Sequence, residues 1–241
     1  MQRSLGAWRY GLAARVYTIL FFAKLKISIM LKGIFWDNDG VLADTEKLFY
    51  QVNRRILAEH DFELDAERYV DWFLESNTGA WHILAKRGYT EEMIGALRIE
   101  RNFRYAQAIR DGKNLQRDDI ASVVVGLRSR ARMAIVTASH EQHLQLIYHA
   151  TGFLGNFDAI VARETVPTSK PAPDCYKEAL RQLDIDPRQC IVVEDSPRGL
   201  AAAVAAGIQC VVLRSAFLQN YRFTGALEVV SCLVPSDHKR V

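Results

Sequence analysis

Five short apolar runs limit what this chain can fold into. They are Gly33-Ile34-Phe35-Trp36, Met133-Ala134-Ile135-Val136, Phe157-Asp158-Ala159-Ile160-Val161, Cys190-Ile191-Val192-Val193 and Gln209-Cys210-Val211-Val212-Leu213. Runs of this length and composition read as buried strands. Helical patterns separate the later ones, at Glu141 to Thr151, Pro173 to Leu183 and Pro197 to Ala206, the last followed by Gly207 as a stop. Strands alternating with helices predict an α/β fold built on a parallel sheet with crossovers. Active sites in such sheets lie at the carboxyl ends of the strands.

The stretch from Lys47 to Arg117 departs from this pattern. Leu48, Val52, Ile56 and Leu57 form one helical stripe; Tyr69, Trp72 and Phe73 belong to a second; Met93, Ile94, Leu97 and Phe103 belong to a third. Breaks fall at Asn77-Thr78-Gly79 and Arg87-Gly88-Tyr89. Residues 47–117 therefore read as a helical insertion between the first and second strands. The α/β core takes residues 31–46 and 118–241, with a helix from Ala121 to Arg130 leading back into it. An insertion at that point emerges at the catalytic edge and can act as a lid.

Several runs end in reactive side chains. Asp37 and Asp39 follow the first, Thr137 the second, and Glu194-Asp195 the fourth; Lys170 stands in the Pro-rich segment Ser169-Lys170-Pro171-Ala172-Pro173. Carboxylates gathered at strand ends attract a hard divalent cation such as Mg²⁺. A hydroxyl, the amides after Thr137 at Ala138 and Ser139, and an ammonium make a phosphate site beside it. Asp37 is placed to attack phosphorus, and Asp39 to move protons to and from the leaving oxygen and water. Each element also has a plain alternative: an Asp-rich turn, a Thr or Ser helix cap, a surface lysine, a capping Asp195. Occurring together, in order and at matching strand ends, they favour a single site.

Composition narrows the function further. Of 241 residues, 49% are apolar and 24% charged, ordinary values for a globular protein. The formal charge of +3 arises in residues 1–30, which hold five basic residues and no acid. The rest is close to neutral and offers no footprint for nucleic acid. No run reaches the length needed to cross a membrane. Residues 1–30 read as upstream sequence before a natural start at Met30, as a transit peptide, or as a surface-binding helix. A cytoplasmic protein is expected, or an organellar one if the segment is a transit peptide. The four cysteines show no metal spacing and read as reduced, structural thiols. His140 and His143 share a helix face that reads as solvated.

The ordered motifs resemble those of the haloacid dehalogenase superfamily. Asp37-Asn38-Asp39-Gly40-Val41-Leu42 is similar to its first motif, Thr137 to the second, Lys170 to the third and Glu194-Asp195 to the fourth. Val192 to Gly199 with Ala205-Ala206-Gly207, Lys170 to Asp174 with Tyr176, and Asp44-Thr45-Glu46 resemble the β-phosphoglucomutase-like branch. The resemblance covers about residues 31 to 215. It implies a Rossmann-like core, a helical cap and Mg²⁺-dependent phosphoryl transfer through an aspartyl phosphate. On that pattern Asp37 is nucleophile and metal ligand. Asp39 is acid and base and lends its carbonyl to the metal. Thr137 and Lys170 bind phosphate, and Asp195 and Glu194 hold the ion.

The sugar-phosphate mutases of that branch carry a basic cap segment for a second phosphate. The comparable stretch here, Glu75 to Trp81, has no Lys or Arg. A phosphatase for a small phosphorylated metabolite, a sugar phosphate, is therefore expected ahead of a mutase-type isomerase or a non-catalytic binding protein. A monomer is expected, since the cap already covers the site.

Overall fold

The structure is a computed structural model and describes residues 31–233. Its centre is a parallel sheet of β1 (Gly33–Trp36), β2 (Arg132–Val136), β3 (Ala159–Val161), β4 (Cys190–Glu194), β5 (Gln209–Leu213) and β6 (Glu228–Val230), in the spatial order β3-β2-β1-β4-β5-β6. The order reverses between β1 and β4, which is where sheets of this type open a crevice. β6 is a strand that the sequence pattern missed. β3 begins at Ala159, two residues later than expected. Asp158 instead takes the Met133 amide on its carboxylate at 2.8 Å and pairs with Arg128.

Burial on both faces explains the unbroken apolar runs. Alternate residues point to opposite sides of the sheet. Phe35, Ala134, Val136, Val192 and Val212 belong to one core, and Ile34, Trp36, Ile135, Val193 and Val211 to the other.

Apart from two isolated bridges, the regular elements of the described chain between β1 and β2 are helices. They are α1 (Glu46–Ala58), α2 (Ala66–Tyr69), a π-helical turn Val70–Glu75, α3 (Trp81–Lys86), α4 (Glu91–Asp111) and α5 (Asp118–Leu127). α5 starts three residues earlier than expected, with Asp118 and Asp119 against the positive end of the helix. It packs on the Ile34 face through Ile120, Val123, Val124 and Leu127. The predicted breaks hold left-handed Asn77, Gly79 and Gly88. In α4 the expected stripe is only partly buried. Ile94, Tyr105, Ala106 and Ile109 are inside, whereas Met93 and Phe103 are exposed.

Three further helices follow: α6 (Glu141–Tyr148), α7 (Asp174–Leu183) and α8 (Pro197–Ala205). α7 and α8 cover the Phe35 face through Tyr176, Ala179, Leu200 and Ala203. Among the described residues Cys175, Cys190 and Cys210 are buried free thiols, and Cys232 is exposed. No described helix is long and apolar enough to cross a membrane. The readings made of residues 1–30 fall outside the described chain.

Candidate active site

Register brings the first set of side chains together. Trp36 lies opposite Ile135 of β2 and Val193 of β4, so the next residues, Asp37, Val136 and Glu194, stand level at the carboxyl edge. The Asp37 amide donates to the Val193 carbonyl at 2.9 Å. Lys170 enters from the loop before α7 and is only 2% exposed. Its ammonium donates to Asp37 Oδ1 at 2.7 Å, Glu194 Oε1 at 2.6 Å and the Val136 carbonyl at 2.8 Å. This is a buried, three-partner lysine and not a surface one.

Glu194 is fixed from all sides. Tyr176 donates to Oε1 at 2.8 Å, and Oε2 receives the Asp195 amide, the Ser196 amide and the Ser196 hydroxyl. Ser196 Oγ also accepts from Gly199 and so caps α8. Burial would lower the Lys170 pKa, but Asp37 and Glu194 hold it above the usual range. Burial works to raise Glu194 and is overruled by Lys170 and the hydrogen bonds, so this carboxylate stays ionised. Asp37 is pushed up to about 8 by burial and then by the Glu194 charge.

Carboxylate oxygens of Asp37, Glu194 and Asp195 lie within 4.8 Å of one another. Asp195 Oδ2 is buried with no hydrogen-bond partner. Burial, followed by the charge of Glu46 and then of Asp37, drives the Asp195 pKa well up. Three crowded acids, two of them on one ammonium and the third with an orphaned oxygen, suit an oxygen-seeking divalent cation. Gly40 makes room for this arrangement. It has φ +81°, and a Cβ there would lie 2.1 Å from Asp195 Oδ2.

The Asp39 carboxylate is not part of that acidic group; its partners are hydroxyls. Thr45 donates to Oδ1 at 2.6 Å and Tyr105 at 3.1 Å, while Ser139 and Thr137 donate to Oδ2 at 2.7 and 3.2 Å. Thr137 Oγ1 in turn accepts from the Ser139 amide. The residue capping α6 is His140, whose side chain makes no bond to the helix, and the Ser139 hydroxyl is committed to Asp39. Asn38 shapes the turn itself. Its carbonyl accepts the amides of Leu42 and Ala43, and its side chain takes the Tyr148 hydroxyl.

A small recess holds Asp37, Asp39, Ala138, Lys170 and Asp195. Asp39, Glu46, Leu74, Ala138 and Arg198 also line a larger cavity of about 330 Å³ that opens beyond it. The far walls of that cavity come from the helical insertion and include Tyr69, Trp81, Arg98 and Arg101. Glu46 accepts a hydrogen bond from Tyr69, and burial lifts its pKa to about 7. Arg198 bridges from α8 to the insertion, donating to Asn77 Oδ1 at 2.6 Å.

His143 corrects the expected solvated face. It is 3% exposed, packs edge-on to Tyr105 and has neither ring nitrogen hydrogen-bonded. The roles of Tyr105, Tyr176, Glu46, Tyr69, Arg98, Arg101 and His143 were not read from the sequence. Tyr176 and Glu46 at least stand inside recognised motifs. The others sit on helices where a tyrosine or arginine reads as core or solvated face.

Known proteins share this fold. Residues 31–207 match the haloacid dehalogenase-like hydrolases. The chain is 30% identical over 217 residues to Protein CbbY of Cereibacter sphaeroides, covering 82% of this chain and 90% of that protein. It is 26% identical over 185 residues to the fructose-1-phosphate phosphatase YqaB of Escherichia coli, covering 76% and 96%. A crystal structure of CbbY from Rhodobacter sphaeroides, in complex with xylulose-(1,5)bisphosphate, superposes with a TM-score of 0.73 at 25% identity, over 85% of this chain and 96% of that one. A β-phosphoglucomutase from Clostridium difficile shares the fold at a TM-score of 0.73 and 21% identity, over 85% and 92%. With the family match spanning most of the chain, this protein belongs to the haloacid dehalogenase-like hydrolases, and within them to the phosphatase branch.

Proposed function

We propose that the protein is a Mg²⁺-dependent phosphatase that hydrolyses a small sugar phosphate through an aspartyl phosphate on Asp37. The observation that carries this reading is the buried ammonium of Lys170, held between Asp37 and Glu194 beside an unpartnered Asp195 oxygen. The sugar-phosphate class is supported by the names of the relatives.

In the first step an oxygen of Asp37 attacks phosphorus and the bond from phosphorus to the ester oxygen breaks. Asp39 gives that oxygen its proton. In the second step Asp39 takes a proton from water, which attacks the phosphorus of the acyl phosphate and frees Asp37. Thr137, the amides at Ala138 and Ser139, and Lys170 hold the phosphoryl oxygens. Asp37, Asp195 and the Asp39 carbonyl would hold Mg²⁺. Bound there, the ion would offset the repulsion between the phosphate and the acids. Glu194 already accepts five hydrogen bonds, so its part is to aim Lys170 and to add negative charge beside the site that would hold the ion.

Residues 47–117 act as a cap over this edge. In support, Tyr105 reaches Asp39 from α4, and Arg198 and Asn77 join the two sides. The test is a panel of phosphate esters assayed with Mg²⁺ for free phosphate and for isomerised sugar phosphate. Free phosphate is expected from the native enzyme and none from Asp37→Asn. Turnover surviving in that variant would reject Asp37 as nucleophile, and isomerised product would replace hydrolysis by mutase chemistry.

A further inference from the structure

Among the described residues, Tyr105 is the side chain of α4 that bonds the proton-moving carboxylate of Asp39. Three of the four hydroxyls on that carboxylate come from the core. Thr45 lies in the turn that follows it, and Thr137 and Ser139 follow β2. The fourth, from Tyr105, crosses 66 positions of sequence to reach Oδ1 at 3.1 Å. Thr137 and the Ser139 amide already have a task at the phosphate. Tyr105 has no such second task, and at 2% exposure its hydroxyl is paid for by Asp39 alone.

The Tyr105 ring is fixed on two sides. Phe49 of α1 meets it edge-on with centroids 5.1 Å apart, and His143 of α6 does so at 4.9 Å. Edge-to-face pairs of this kind set the orientation of a ring. His143 is buried with neither ring nitrogen bonded, so it acts on Tyr105 by shape and not as donor or acceptor. Orientation matters at Asp39 because a proton passes only when the carboxyl oxygen is within hydrogen-bond reach of the ester oxygen. An error of about 1 Å costs roughly a hundredfold in rate. A phenol hydroxyl both donates and accepts, so it keeps its bond to Asp39 before and after the proton leaves.

On the phosphatase reading above, we propose that Tyr105 is a positioning residue for the proton step: its hydroxyl, aimed by the rings of Phe49 and His143, holds the Asp39 carboxyl at the angle from which it protonates the leaving oxygen. The proton passes from Asp39 to the ester oxygen as the bond from phosphorus breaks, and the electrons of that bond stay on the oxygen. Tyr105 gains and loses no proton in the cycle. Its effect therefore depends on the leaving group. Esters of sugar alcohols need the proton and lean on Tyr105; an ester whose leaving oxygen departs as a stable anion does not.

Two kinds of ester separate this role from plain packing. One is the sugar phosphate that the native enzyme turns over fastest among fructose 1-phosphate, glucose 1-phosphate and glucose 6-phosphate. The other is p-nitrophenyl phosphate, which releases a stable phenolate. Their kcat/KM values report formation of the aspartyl phosphate, since the later attack of water is common to both. The ratio of kcat/KM, sugar ester over p-nitrophenyl ester, should fall about tenfold in Tyr105→Phe, the value of one hydrogen bond to a charged group. His143→Ala should share that fall, and His143→Phe, which keeps a ring against Tyr105, should hold the native ratio. Poorer packing slows both esters alike, so equal losses on the two, or no loss, in Tyr105→Phe would overturn the proposal. A native ratio in His143→Ala would strike His143 from it. If the native protein frees phosphate from none of the sugar esters, the phosphatase reading fails and takes this inference with it. If it hydrolyses both kinds and the ratio survives in Tyr105→Phe, this inference fails alone.

Discussion

Lys170 and Glu194, proposed above as part of the catalytic site, also tie the loop before α7 to the ends of the central strands. Replacing Glu194 by Gln leaves the Lys170 ammonium buried with one carboxylate fewer. Breaking a buried pair costs about 3–5 kcal/mol, a large part of the roughly 5–15 kcal/mol that holds a domain together. Glu194→Gln should therefore lower the urea midpoint strongly as well as slow turnover, and a loss below about 1 kcal/mol would remove the pair from the stability account. His143 gives a pH signature. Burial brings its pKa from 6.5 to about 4, against the opposing charge of Asp39 and with smaller help from His140 and Arg101. Between those values the unfolded chain binds the proton and the folded one does not, so stability falls as pH drops through that window. After discounting for solvent screening, the effect is roughly 1–2 kcal/mol. Thermal melts at pH 7 and pH 4.5 should show a smaller drop for His143→Phe than for the native protein; identical drops would clear His143 of this role. The acids and Thr137 stood out in the sequence because each follows an apolar strand run, and Lys170 because of the Pro-rich segment that holds it. His143 did not, because a histidine on a helix has no periodic mark that tells a core position from a wet one.

At the scale of elements, the two connections to the helical insertion pair with each other. Asp44 N–H donates to the Leu115 carbonyl and Arg117 N–H to the Leu42 carbonyl, with a bridge between Ala43 and Gln116. Arg117 also donates from its side chain to the Gly40 carbonyl at 3.2 Å. The connections are thus tied to the turn that carries Asp39. Arg117→Ala removes that tie and one charged hydrogen bond, worth about 1.5–3 kcal/mol where fully formed and less at this half-buried site. The expected outcome is a raised KM with kcat/KM down by about tenfold and a small change in melting temperature. An unchanged KM would separate this linker from substrate binding. Five of the six strands and the helices that follow them could be read from apolar runs and from Pro and Gly signals. β6 has only Glu228, Val229 and Val230, too few residues for a pattern. The stripe on α4 misled because apolar residues occur on more than one side of it. Met93, Ile99 and Phe103 face solvent, and Tyr105 and Ile109 face the core.

Across the whole molecule, the acids of the site oppose folding until a cation joins them. Mg²⁺ at a hundredfold excess over its dissociation constant should add about 2.7 kcal/mol, a rise of roughly 5–10 °C in melting temperature for a chain of this size. Calorimetry should show that rise in the native protein and its loss in Asp195→Asn; an equal rise in the variant would exclude Asp195 as a ligand. The helices between β1 and β2 were legible from their apolar stripes. The arginines that these helices bring to the cavity could not be foreseen, because they depend on how α4 is rotated against Trp81.

The three contacts of the Lys170 ammonium join the loop before α7 to the ends of β1, β2 and β4. A slip of one residue in any of those strands would point a different side chain at the ammonium. Regained turnover after dilution from denaturant is consequently a clock for correct closure of the central strands. It should lag behind recovery of helical circular dichroism whenever helices form before those strands align.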